Sequence, residues 1–167
     1  MEKFLFLSVI AVLAFATDSV AQKQRKSPHD TVSVKNIHVT YGRPYKKGRE
    51  IFGALEKFGT VWRVGADEAT EITFDKDATF GGKPVKAGTY TLFAKLGEKE
   101  WTIILNSELK QWGSFGYEKI KDKDVLQVAV PVKKLDKVVE ELTISFTKKN
   151  ALVIEWDQTQ VEVPIKI

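Results

Sequence analysis

Between Tyr41 and Glu68 the chain gathers side chains that can recognise or transform a polar molecule. These are Arg43, Arg49, Arg63, Asp67 and Glu68, with Tyr41 and Trp62 among them. Arginine presents a planar fork of donors that matches a carboxylate, phosphate or sulfate. The adjacent Asp67 and Glu68 can act as acid and base, or accept hydrogen bonds from sugar hydroxyls. Tyr41 and Trp62 can stack on the apolar face of a sugar ring. The same residues can equally build a structural network, with Arg63 paired to Asp67 or Glu68 and Arg49 satisfying backbone carbonyls. Breaking such a pair, if buried, costs about 3–5 kcal/mol. Trp62 and Arg63 are neighbours on an extended segment and face opposite sides of it, which disfavours a site needing both on one wall. Further along, Trp112 beside Gly113, and Tyr117, are candidates for an exposed stacking platform.

Other chemistries lack their residues. Zinc needs three or four ligands from His, Cys or carboxylate, and the chain has two histidines and no cysteine. His29 lies in a polar leader, and His38 alternates with Ile37 and Val39. A long-range union of His38 with Asp67 and Glu68 would supply a ligand set, and carboxylates alone are open to a divalent cation; no local spacing builds either, so neither a metal site nor a cofactor is expected. There is no Gly-x-Ser-x-Gly elbow, phosphate loop or dinucleotide glycine pattern. Ser114, in Gly113-Ser114-Phe115-Gly116, reads as part of a turn. Carboxylates adjacent in sequence point apart on a strand, against the facing pair a glycosidase requires.

The elements that must position these residues are strands. Ile37, Val39 and Tyr41 share one face, as do Ile72 and Phe74; Leu126, Val128 and Val130; and Leu142, Ile144 and Phe146. Period-two alternation marks a sheet with one buried and one wet face. Ala78–Phe80 and Lys83–Val85 flank Gly81-Gly82, a tight hairpin signature. Trp101 and Trp156 fall in phase with apolar neighbours and are expected in the core. Short helical turns are predicted at Ile51–Phe58, Ser107–Trp112 and Val132–Val138. About nine strands without βαβ spacing predict a single all-β domain: an antiparallel, jelly-roll-like β-sandwich with one or two short helical turns.

The chain opens with Lys3 and an apolar run from Phe4 to Ala16, too short to span a bilayer and of the length of a signal-peptide core. Ser19-Val20-Ala21 places the expected cut before Gln22. Residues 1–21 are therefore read as a signal peptide, 22–30 as a flexible leader and 31–167 as the folded domain. Export to the periplasm or the exterior follows, with no membrane insertion after cleavage. The absence of cysteine leaves stability to the core. A net charge of +4 is mild, and the paired lysines (Lys46-Lys47, Lys133-Lys134, Lys148-Lys149) fall at turns and strand ends. Nucleic acid is not an expected partner.

Several motifs in order carry a family resemblance. They are Tyr41-Gly42-Arg43-Pro44, Lys47-Gly48-Arg49, Val61-Trp62-Arg63, Gly65-Ala66-Asp67-Glu68-Ala69-Thr70 and Ala87-Gly88-Thr89-Tyr90, then Trp101–Asn106, Gln111-Trp112-Gly113 and Glu141-Leu142-Thr143. From about Ser27 to Ile167 the chain resembles the DUF2911 family of exported, Bacteroidetes-type proteins. The resemblance implies a domain of unknown function and supplies no catalytic or binding residues. Three functions are therefore weighed on chemistry alone. The first is a non-catalytic binding module for a glycan or other polar envelope component. The second is a hydrolase or isomerase using Asp67 or Glu68 with Arg49 or Arg63. The third is a structural or partner-binding envelope protein.

Overall fold

The structure, a computed structural model, describes residues 24–167. The expected signal peptide lies outside the described residues. No helix among them is long and apolar enough to cross a membrane.

Two antiparallel sheets pack face to face. The larger holds β1 (His29–Val34), β2 (Ile37–Gly42), β4 (Glu71–Phe74), β7 (Gly88–Lys95), β8 (Glu100–Asn106) and β9 (Asp124–Pro131) in that spatial order, with β3 (Val61–Trp62) also paired to β7. The smaller runs β10 (Lys133–Phe146), β11 (Ala151–Lys166), β5 (Ala78–Phe80), β6 (Lys83–Val85). Alternation decides which residues lie between them. Ile37, Val39 and Tyr41 point inward from β2, Trp101, Ile103 and Leu105 from β8, and Leu152, Ile154 and Trp156 from β11, all buried in one cluster. Trp62 and Trp156 stack with centroids 6.0 Å apart, and Trp101 meets Trp62 edge-on at 5.8 Å. Pairs of this kind add about 0.5–1.5 kcal/mol each beyond the area they bury.

The sandwich and the hairpin at Gly81-Gly82, where both glycines hold positive φ, agree with the sequence reading. The helical turns do not fall where the pattern puts them. Val132–Val138 belongs largely to β10, a long strand paired with β11 through two register shifts. The β-branched Val132, Val138 and Val139 favour extension, and the charges of Lys133, Lys134, Asp136 and Lys137 blunt this exposed edge. Neither 51–58 nor 107–112 forms a helix; the only described helical turns are 3₁₀, at Tyr117–Lys119 and Lys121–Lys123. β11 runs without a break from Ala151 to Lys166, with Asp157 inside it at a left-handed φ of 54°.

Candidate functional site

The Asp67-Glu68 loop exists because one strand is interrupted. β3 and β4 both pair with the same edge of β7: Trp62 opposite Ala94, then Glu71 opposite Thr91. Residues 63–70 leave the sheet between them and return where the Thr70 amide donates to the Arg63 carbonyl at 3.1 Å. The excursion is tight. Thr70 Oγ1 donates to the Val64 carbonyl at 2.8 Å, and both Val64 and Asp67 sit at left-handed φ, 54° and 62°. That conformation is costly for a β-branched residue and persists only where its surroundings fix it. Gly42 supplies part of the fixing, since a Cβ there would stand 2.2 Å from the Ala66 carbonyl oxygen.

The loop presents its carboxylates to the chain's own beginning. Asp67, buried, accepts from the amides of Lys26 (3.1 Å) and Ser27 (3.0 Å), with His29 Nε2 at 3.3 Å. Burial alone would raise its pKa; the two amides and the imidazole outweigh that and hold it below the ordinary aspartate value. Glu68 receives Arg25 Nε at 2.9 and 3.0 Å in a more exposed pair. His29, expected in a loose leader, thus opens β1 and touches both carboxylates.

The arginines are divided among separate tasks. Arg63 donates to the Asp67 carbonyl at 3.0 Å, and its guanidinium lies 5.8 Å from the Phe115 ring centroid. Arg43 bridges the sheets, reaching the Leu142 carbonyl, Thr143, Asp30 and Glu141. Tyr41 is buried and its hydroxyl accepts from the Ile144 amide at 3.0 Å, so it offers no stacking face. Trp62 is likewise buried, with an indole N–H that has no partner among the described residues. Arg49 donates to the carbonyls of Lys46 (2.9 Å) and Tyr45 (2.5 Å). Trp112 pairs through its backbone with Glu68. His38 lies apart from this loop, bonded to Ser33 and Asp75. Sequence gave no warning of Glu56, whose carboxyl is pushed up to about 7 by burial, against the opposing influence of Arg63 and Arg49.

A different surface holds polar groups that the fold does not use. On the outer face of the large sheet, register sets Val61, Lys95 and Thr102 in one cross-strand row, and Ile104 and Gln127 in the next. These residues floor a groove of about 560 Å³. Thr60, Ser114, Tyr117 and Glu118 also line it. The Tyr117 ring is wedged edge-on against Phe93 (5.4 Å), and its hydroxyl donates to Asp124 at 2.6 Å. Burial first, and Asp124 second, raise its pKa and keep it a neutral donor. The side chains of Lys95, Thr102 and Ser114 make no hydrogen bond or ion pair among the described residues. Next to Ser114 the Phe115 ring is 86% exposed. Gly113 makes room for it, since a Cβ there would lie 2.9 Å from that ring.

Of the residues singled out from sequence, the structure therefore brings Arg63, Asp67, Glu68 and Trp112 together, and sets Arg43 with Tyr41, Arg49 and Tyr117 in three other places. It adds Lys95, Thr102, Gln127 and Phe115, none of which the sequence reading picks out as a site residue. Strand alternation already turns Thr102 away from Trp101 and Ile103, but which neighbours share its face depends on register.

No curated protein and no solved structure matches the chain. A family model described as "Protein of unknown function (DUF2911)" matches residues 23–165, nearly the whole length. With that match on top of the ordered motifs, the chain belongs to the DUF2911 family.

Proposed function

We propose that this domain is a non-catalytic binding module of the cell envelope whose ligand, a glycan, lies along the outer face of the large sheet. The observation that carries the reading is the groove in which Lys95, Thr102 and Ser114 present unengaged polar groups over an apolar floor of Val61 and Ile104. Its volume falls in the range of small-ligand sites. A sugar is amphipathic in the same way: hydroxyls around its rim suit Thr102, Ser114, Gln127 and Glu118, and its apolar ring face suits an exposed aromatic such as Phe115. Asp67 and Glu68 fit an acid–base role poorly. Asp67 already accepts from two amides of the same chain, and a substrate would have to displace them.

Isothermal titration with a panel of neutral oligosaccharides tests the proposal. Saturable binding is expected at about 0.1 mM. Thr102→Trp, which fills the groove floor from an outward-facing position, should abolish it while leaving the thermal transition in place. Equal binding by this variant, or no binding across the panel, overturns the reading.

A further inference from the structure

We infer that the domain carries a second, separate site for a ligand bearing a tetrahedral oxyanion, phosphate or sulfate, in the cleft between the N-terminal segment and the loop that follows β2. The cleft has a volume of about 320 Å³ and is walled by Lys26, Ser27 and Pro28 on one side and by Pro44, Tyr45, Lys47 and Arg49 on the other. Three of these residues are cationic and none is acidic. Neighbouring cations are spent differently. Lys46 is engaged by Asp157 at 2.9 Å, Arg43 by Asp30 and Glu141, and Arg25 by Glu68. Lys26, Lys47 and Arg49 make no ion pair among the described residues. Glu140 accepts from the Lys47 amide at 2.7 Å and does not line the cleft.

The guanidinium is also aimed before any ligand arrives. Arg49 Nε and Nη2 are fixed on the carbonyls of Lys46 and Tyr45. These neutral acceptors orient the fork without an ion pair; the acidic group acting on it from a distance is Glu56, whose carboxyl burial pushes up to about 7. Three unpaired cations around one concavity favour an anion of high charge density, and the Arg fork matches oxyanion geometry. Pro28, Pro44 and the half-exposed Tyr45 ring supply an apolar wall for whatever carries the anion.

The same geometry gives Asp67 its purpose as a positioning residue. By accepting the Lys26 and Ser27 amides it holds one wall of the cleft in place. A second backbone bond, from the Arg43 amide to the Pro28 carbonyl at 2.7 Å, pins the wall to the end of β2.

Titration of the ¹⁵N-labelled protein at low ionic strength with inorganic phosphate, inorganic sulfate, glucose 6-phosphate and glucose 6-sulfate tests the site. Saturable shifts of the amides of residues 26–27 and 45–49 are expected at about 1 mM or tighter for at least one anion. Tighter binding of the sugar esters would assign the carrier to the Tyr45 wall, and equal binding would assign recognition to the anion alone. Lys47→Gln and Arg49→Ala should each weaken binding about tenfold. Asp67→Asn should weaken it with every cation retained. Should Arg49→Ala fail to fold, the exposed Lys47→Gln decides alone. Thr102→Trp should leave anion binding intact, which separates this site from the sheet-face groove. No saturable shift with any of the four anions, or wild-type affinity in Lys47→Gln, overturns the inference.

Discussion

The 63–70 loop and the outer face of the large sheet make opposite use of polar side chains. In the loop, Asp67 and Glu68 are fully engaged, by the amides of Lys26 and Ser27, by His29 and by Arg25. On the sheet face, Lys95, Thr102 and Ser114 are held in register around a groove with nothing from the fold to satisfy them. Charged and aromatic residues are denser in the first region, yet the second has more capacity for a ligand. Density of chemical groups is a weaker guide to a site than the balance of groups left unpaired once the chain has bonded to itself. Buried polar groups are nearly always satisfied, so a crowded cluster is more often a clamp. The basic cleft makes the same point at smaller scale: Lys46 and Lys47 are adjacent, and only one of them is spent.

This contrast can be broken where it is strongest. Replacing Asp67 by Ala leaves the part-buried amides of Lys26 and Ser27 without their acceptor, so urea unfolding should show a loss of about 1–3 kcal/mol. A loss below about 0.5 kcal/mol would mean that the N-terminal segment is not held there. Acid should act in the same direction. Because the folded-state pKa of Asp67 lies below its ordinary value, its stabilising contribution is present above the unfolded pKa and is lost as pH falls through the folded one.

Glu56 has the opposite sign and sharpens the comparison over a different range. Its carboxyl is raised from 4.5 to about 7. The folded state therefore binds the extra proton, and stability is full below about pH 4.5 and declines as pH rises through 7. Glu56→Gln should remove that decline, making the variant more stable than wild type at pH 8 by on the order of 2 kcal/mol. Parallel pH profiles for the two proteins between pH 5 and 8 would refute the assignment.

The smallest effect is expected at Glu68. Its pair with Arg25 is solvent-exposed, 55% on the arginine side, and exposed pairs contribute about 0–1 kcal/mol. Glu68→Gln should shift the melting temperature by no more than a few degrees. A fall comparable to that of the Asp67 variant would show that the two carboxylates act as one buried unit.

Much of the fold is legible in the sequence because alternation is a local signal. The inward faces of β2, β4, β8 and β9, and the Gly81-Gly82 turn, follow from period two and from the φ that paired glycines permit. The errors arise where long-range pairing overrides local pattern. Val132–Val138 has the spacing of a short helix and becomes strand through its partnership with β11. At the site, Arg63 was expected to pair with the Asp67 or Glu68 carboxylate, and it donates instead to the Asp67 main-chain carbonyl. The attachment of Asp67 to Lys26 and Ser27, some forty positions earlier, was not foreseeable. Nor was the row of Val61, Lys95 and Thr102, which comes from three strands whose register no single segment encodes. Phe115 was hidden for another reason. Its glycine-flanked setting reads only as a turn, and the place of its ring depends on the missing Cβ of Gly113, against which it lies.

The most direct test of a ligand site on the sheet face is chemical-shift mapping of the ¹⁵N-labelled protein with a neutral oligosaccharide that binds. Perturbed amides should concentrate at residues 60–61, 95, 102–104, 114–118 and 127, with residues 63–70 unmoved. Perturbation centred on Asp67 and Glu68, with the sheet face silent, would contradict the division of labour proposed between the two regions and return the search to the carboxylates.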